Sequence, residues 1–138
     1  MSDKVEQPPT DDTRWLAAAE KHILGVLRAR YGDVRLDHTE SDLGLAQKLV
    51  DDGAVSATQA LELQCLGVVL GNVFVAQTTM KWAIVTNNYG TLLAIHDHGI
   101  GFTLYPLSMI SKRIEDGRSV NIPLLYSGFV ADLNLTRR

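Results

Sequence analysis

The segment with the clearest chemical potential is His96-Asp97-His98, in which two imidazoles stand two positions apart. Side chains two apart on a strand project from one face, so both rings could bind one divalent metal. Asp97 or Asp132 would have to supply a further ligand, and no spacing in the sequence places one. A polar cluster beside a glycine turn is the favoured interpretation. No cofactor is predicted, and His96 and His98 are kept as candidate metal ligands.

A second pattern with chemical potential is the pair Lys112-Arg113, which follows Ser108 and Ser111 in a helix that Pro106 opens. The N-terminus of a helix binds anions, so a phosphate-bearing ligand is conceivable. The segment lacks the glycine-rich loop whose backbone N–H groups cradle phosphate. The solvated face of an amphipathic helix is therefore the favoured interpretation of the two cations.

Aromatic side chains of the kind enriched at protein interfaces accompany these cations. Trp82 is assigned to the core, whereas tyrosines combine an apolar ring with a polar tip and suit a contact surface. We therefore predict a binding surface for a protein partner or for a second copy of the chain. Its predicted residues are Tyr89, Tyr105, Lys112 and Arg113.

No catalytic set emerges from the remaining residues. Ser56 and Ser108 stand outside any Gly-x-Ser-x-Gly turn, and the chemistry of helix starts explains both. A non-catalytic binding module is the leading hypothesis, although an enzyme is not excluded. Two alternatives stay open: a small metal- or ligand-dependent enzyme using His96, Asp97 and His98, and an immunity protein that neutralises a toxin.

Composition sets limits on these functions. The 138 residues carry 13 basic and 16 acidic side chains, which gives a net charge of −3 without a basic block, so nucleic-acid binding is not expected. The single cysteine, Cys65, lies among apolar residues, which indicates a buried thiol in a reducing compartment. Residues 1–12 show no apolar signal core, and the stretch 65–76 is shorter than a membrane span. A cytoplasmic protein without membrane contact is expected.

The elements that must position these residues begin with helices. Residues 1–12 are predicted as a flexible tail and residues 13–138 as a single α+β domain. Helical spacing predicts a helix to about Arg30, a short helix after Thr39, and a long, largely buried central helix over residues 57–76.

The central helix carries two local signals. Its start is marked by the capping box of Ser56 and Gln59. Gly67 and Gly71 stand four apart on it, and they form a smooth stripe where another element can approach the backbone.

Alternating apolar residues then predict a three-stranded antiparallel meander. Its strands begin near Lys81, at Thr91 and at Phe102, and glycine-containing turns join them. Pro106 and Pro123 fit the first turns of two C-terminal helices. The sequence thus predicts N-terminal helices and a buried central helix packed on three strands, followed by two helices.

Four segments carry a resemblance to a known family. They are Leu66-Gly67-Val68-Val69-Leu70-Gly71, Trp82-Ala83-Ile84-Val85, Tyr89-Gly90, and Tyr105-Pro106-Leu107-Ser108-Met109-Ile110-Ser111-Lys112-Arg113-Ile114-Glu115. These segments resemble a bacterial family catalogued as domain of unknown function 3806. The resemblance covers roughly residues 56–132, and the His96-Asp97-His98 segment departs most from the family pattern. It implies a small bacterial domain and brings no reaction, substrate or cofactor with it.

Overall fold

A short N-terminal strand is followed by three helices, three strands and two helices, and all of these except the first strand come in the order that the hydrophobic periodicity predicts. The computed structural model describes residues 3–137. The helices are α1 (Thr10–Tyr31), α2 (Ser41–Asp51), α3 (Ala60–Gln77), α4 (Pro106–Glu115) and α5 (Ile122–Arg137). The strands are β1 (Lys4–Glu6), β2 (Lys81–Asn87), β3 (Gly90–Asp97) and β4 (Phe102–Leu104). The predicted α+β class is confirmed.

Helix α3 is the centre of the core. Every residue from Cys65 to Gly71 is buried, and α1, α2, α4 and α5 all contact this helix. Its 18 residues have a mean hydropathy of 1.5, enough by length and composition for a membrane span. A helix that is apolar on all sides is equally typical of a protein interior, and the packing of four helices around α3 gives it that role here.

The sheet has four strands, in the order β1-β2-β3-β4, and all neighbours are antiparallel. The prediction of three strands was wrong because β1 has only three residues, of which Val5 alone is apolar, so no alternation marks it. Val5 pairs with Val85 of β2. This pairing also corrects the predicted tail over residues 1–12, since β1 and the first residues of α1 lie within it. Residues 1 and 2 of that tail lie outside the described part of the chain.

The predicted close approach at the glycines of α3 is confirmed. A Cβ atom added at Gly67 would meet the carbonyl oxygen of Pro106 and would lie 2.8 Å from the Cα of Leu107. A Cβ atom at Gly71 would meet the indole ring of Trp82. The two glycines therefore allow α4 and β2 to pack directly on the backbone of α3, and this packing positions both elements.

The capping box at Ser56 forms only in part. The Ser56 N–H donates to Oε1 of Gln59 at 2.9 Å, as the box requires. The Gln59 N–H, however, donates to the Ser56 carbonyl at 3.0 Å and closes a turn, and α3 begins at Ala60 rather than at residue 57. The interaction thus stabilises a turn that leads into the helix.

Cys65 supports a prediction about chemical reactivity. Its side chain is 1% exposed, and burial raises the pKa of the thiol above its usual value. Because the thiolate is the reactive form, we expect very slow labelling of the folded protein by a disulfide reagent at pH 8 and complete labelling in denaturant. Thiol absorbance assays measure both rates. Rapid labelling of the folded chain would contradict the buried position.

Candidate functional site

All four predicted binding residues line a single surface groove of about 520 Å³. We call it the aromatic-basic groove. Its principal residues are Tyr89, Leu92, Tyr105, Lys112, Arg113 and Phe129. The sequence placed these residues in separate elements, and the fold brings the β2–β3 turn, α4 and α5 together around the groove.

Local sequence explains how each side chain reaches the groove. Asn87 accepts the Tyr89 N–H on its side-chain oxygen at 2.9 Å, which shapes the turn, and Gly90 adopts a φ of 129° that favours glycine. Pro106 stands at the first turn of α4, as predicted. Lys112 and Arg113 lie in the last turn of that helix. The turn and the helix therefore hold the tyrosines and the cations on one surface.

The groove combines exposed apolar surface with positive charge. Tyr89 is 97% exposed and Leu92 is 57% exposed. The Arg113 guanidinium donates to the Met109 carbonyl at 2.7 Å, which orients the side chain. Among residues 3–137, no carboxylate forms an ion pair with Lys112 or Arg113, and none lines the groove. The groove is thus a local cationic surface on a chain whose net charge is negative.

A second groove of about 540 Å³ adjoins the first between α4 and α5. Arg113 and Phe129 line both, so the two form one continuous surface. Leu124, which is 66% exposed, adds apolar area. Asp132, considered above as a further metal ligand, lines this second groove. The sequence did not indicate this groove, because the facing of two helices depends on tertiary packing.

His96 and His98 lie side by side at the end of β3, where His96 belongs to the strand and His98 to the turn that follows. Their ring centroids are 4.6 Å apart in an edge-to-face arrangement, and Nδ1 of His96 lies 2.7 Å from the Thr103 hydroxyl. Burial, together with the neighbouring imidazole, lowers the pKa of His96 below its usual value. At neutral pH the buried ring is therefore uncharged, and it already has a hydrogen-bond partner.

Asp97 is held by the turn that follows β3. Its carboxylate accepts the Gly99 N–H at 2.9 Å and also hydrogen bonds from Thr79 and Arg137. The hydrogen bond from the Thr79 hydroxyl is the main reason why the pKa of Asp97 is lowered. Within residues 3–137, no group of three His, Cys, Asp or Glu side chains is arranged to hold a metal ion. The carboxylate thus links a turn to the end of α5.

A hydrogen-bonded chain that the sequence did not predict crosses from α1 to the sheet. Nε2 of His38 lies 2.9 Å and 3.0 Å from the two oxygens of Glu20. Glu20 also accepts a hydrogen bond from the amide of Asn72, whose oxygen accepts the Trp82 indole N–H at 2.9 Å. The four residues are far apart in sequence and belong to no known spacing, so only the folded chain reveals them. We call this set, Glu20, His38, Asn72 and Trp82, the His38 network.

The side chain of Asp42 holds the backbone of the loop that carries His38. Its buried carboxylate accepts the N–H groups of Asp37 at 3.1 Å and His38 at 2.8 Å, and the side chain of Gln77 donates to the His38 carbonyl at 3.0 Å. Among the described residues, His38 is the one non-glycine residue with positive φ, at 63°. The Asp42 carboxylate, in the first turn of α2, thus binds the loop that precedes this helix. Burial raises the pKa of Asp42.

The His38 network lines a cleft of about 480 Å³ between α1 and Trp82. The side chains of Leu16 and Leu24 give it an apolar wall, and Lys21 contributes a cation. His38 is 45% exposed at its side chain, whereas Glu20 is 25% exposed. The imidazole is therefore accessible, and the carboxylate that orients it is mostly covered.

A comparison with protein families gives one match. The family model described as "Domain of unknown function (DUF3806)" matches residues 42–126, which is more than half of the chain. The match includes nearly all of α2, then α3, the meander, α4 and the start of α5, and it excludes α1 and the loop that carries His38. No curated protein matches the chain.

A solved structure shares the fold. It is a crystal structure from Bacteroides thetaiotaomicron VPI-5482, with a TM-score of 0.82 and 14% sequence identity over 94% of this chain. The chain spans 48% of that protein, about half of its length. At this identity the likeness concerns the fold, and it extends to the N-terminal elements that the family match leaves out.

Proposed function

The chain belongs to the family described as domain of unknown function DUF3806, whose description names no activity, and we propose from the site geometry that it is a non-catalytic protein-binding module. The observation that carries this proposal is that Tyr89, Tyr105, Lys112 and Arg113 line one groove. Its occupant is a partner segment with acidic residues beside an aromatic or aliphatic side chain.

The apolar part of this recognition comes from Tyr89, Leu92 and Phe129. Tyrosine and other aromatic side chains supply large contact areas at a low cost in side-chain entropy. An exposed leucine next to an exposed tyrosine gains stability when a partner removes both from water. These residues support contact with an aromatic or aliphatic side chain of the partner.

The charged part comes from Lys112 and Arg113. The described residues leave both cations without a carboxylate partner, and a guanidinium can bind a carboxylate through two parallel N–H groups. The chain as a whole carries a net negative charge, so the rest of its surface repels an acidic segment. Charge complementarity therefore favours an acidic partner segment at this groove.

Selection from a random peptide library displayed on phage tests the proposal directly. We expect the bound peptides to be enriched in Asp or Glu adjacent to Leu, Phe or Trp. For a selected peptide, fluorescence anisotropy should show that Arg113→Glu weakens binding by about tenfold or more, and that higher salt also weakens it. Tyr89→Ala should cause a similar loss of affinity. Because Tyr89 is 97% exposed, this substitution should leave the fold intact, so the loss measures binding.

The matched control is Arg14→Glu on α1, which makes the same charge change outside both grooves. It should change the affinity by less than about twofold. Equal losses in Arg14→Glu and Arg113→Glu would reduce the effect to net charge and overturn the proposal. Selected peptides without acidic residues would overturn the assigned chemistry. Concentration-dependent dimers that Arg113→Glu dissociates would identify a second copy of the chain as the occupant instead.

A further inference from the structure

We propose that the cleft beside the His38 network binds a small carboxylic acid with an apolar body and a hydroxyl or N–H donor. His38 would accept the donor, Lys21 would attract the carboxylate, and the apolar wall would cover the body. This site is separate from the aromatic-basic groove and does not depend on its function.

The acceptor is Nδ1 of His38. Since the Glu20 carboxylate can only accept hydrogen bonds, the nearby Nε2 must carry a proton, and in the tautomer with that single proton Nδ1 is an acceptor. Among the described residues, none donates to Nδ1. No buried side-chain nitrogen or oxygen in this part of the chain lacks a hydrogen bond, so Nδ1 must be open to solvent. His38 is one of the residues that line the cleft.

The conformation of His38 favours a functional role. A positive φ costs a residue with a Cβ atom on the order of 1 kcal/mol, and such strain collects at binding sites. Here the hydrogen bonds from Asp42 and Gln77 hold the backbone in that conformation. These hydrogen bonds offset the strain of placing an imidazole at a position that glycine would adopt without strain.

The rest of the cleft defines the ligand. Leu16, Leu24 and the indole of Trp82 offer apolar contacts, and a volume of about 480 Å³ suits a small organic molecule. Lys21 is exposed and forms no ion pair with any described carboxylate, so it is available to a ligand anion. The Glu20 carboxylate accepts hydrogen bonds from His38 and Asn72 and forms no ion pair with Lys21.

Titration with para-hydroxyphenylacetate, followed by ¹H–¹⁵N NMR, tests the proposal. At millimolar concentrations we expect saturable shifts of the Trp82 indole N–H and the Asn72 side-chain amide, which lie in the cleft wall. Phenylacetate lacks only the hydroxyl donor and should bind about fivefold to tenfold more weakly. The pair of probes therefore measures the hydrogen bond to His38.

His38→Asn removes the imidazole with a residue that tolerates positive φ, so the fold should persist. It should weaken binding of the hydroxylated probe by about tenfold and abolish the preference over phenylacetate. Lys21→Gln should weaken both probes to a similar extent. Lys81→Gln makes the same charge change at an exposed lysine outside the cleft and both grooves, so it is the control and should leave both affinities unchanged.

Two results would overturn this site. One is the absence of saturable shifts at Trp82 and Asn72 with the hydroxylated probe. The other is equal binding of the two probes by the unmodified chain. Peptide binding at the aromatic-basic groove should be unaffected by His38→Asn, so failure of this site and failure of the proposed function are distinguishable.

Discussion

Gly67→Ala is expected to lower the free energy of unfolding by about 3 kcal/mol. The added methyl group would meet the Pro106 carbonyl oxygen and lie 2.8 Å from the Cα of Leu107, both of which are backbone atoms. Because backbone atoms cannot change rotamer as a side chain can, the first turn of α4 would have to move away from α3. Chemical denaturation followed by circular dichroism measures the loss.

Gly25→Ala is the matched control for this change. Gly25 also lies inside a helix, α1, but a Cβ atom there would have nothing within 4 Å. The same substitution should therefore stabilise the chain by about 0.5–1 kcal/mol through helix propensity alone. A Gly67→Ala variant as stable as Gly25→Ala would show that α4 does not pack on the backbone of α3.

The same displacement should affect the aromatic-basic groove. Tyr105 precedes α4, and Lys112 and Arg113 lie at its other end, so a shift of this helix moves three groove residues together. In Gly67→Ala we accordingly expect weaker binding of a selected peptide even where the chain remains folded. Gly25→Ala should leave peptide binding unchanged, since it lies on α1.

Asp42→Ala is the second change with a large expected effect, a loss of about 2–3 kcal/mol in the free energy of unfolding. The carboxylate is 1% exposed and accepts two backbone N–H groups, from Asp37 and His38. Removing it leaves both donors without their partner and frees the loop from its positive φ. Thermal and chemical denaturation measure the stability, and the NMR titration measures the effect on the His38 cleft.

Asp42→Asn separates the hydrogen bonds from the charge. Its side-chain oxygen can still accept one N–H, so it should retain a substantial part of the stability that Asp42→Ala loses. Burial raises the pKa of Asp42, which means that the ionised form is held at a cost that the hydrogen bonds offset only in part. An Asp42→Ala variant with unchanged stability would show that water replaces the carboxylate at both donors.

Local signals in the sequence predicted most of the helices and strands. The glycine stripe of α3, the glycine-containing turn between β2 and β3 and the proline that opens α4 were all placed correctly. These features depend on neighbours within a few residues, so the sequence carries them directly. Strand β1 was not predicted because its three residues include one apolar side chain, too few to show an alternating pattern. Only the pairing with β2 makes these residues a strand.

The candidate sites also combine features that local sequence predicts with features that depend on tertiary packing. Tyr89, Tyr105, Lys112 and Arg113 could be chosen from residue type, because exposed tyrosines and paired cations are typical of binding surfaces. Their meeting in one groove is a result of how α4 and α5 pack. Alternation predicted that His96 and His98 would lie together, whereas the partners of Asp97 depend on α5 and Thr79.

By itself the sequence determined the α+β class, the buried central helix and the residue types of the aromatic-basic groove, because period, capping and turn chemistry act over short distances. Only the tertiary structure decided that Glu20, His38, Asn72 and Trp82 form one hydrogen-bonded chain beside a cleft. These four residues lie up to 62 positions apart, from 20 to 82. Contacts over such separations arise from the packing of whole elements, and no local pattern records them.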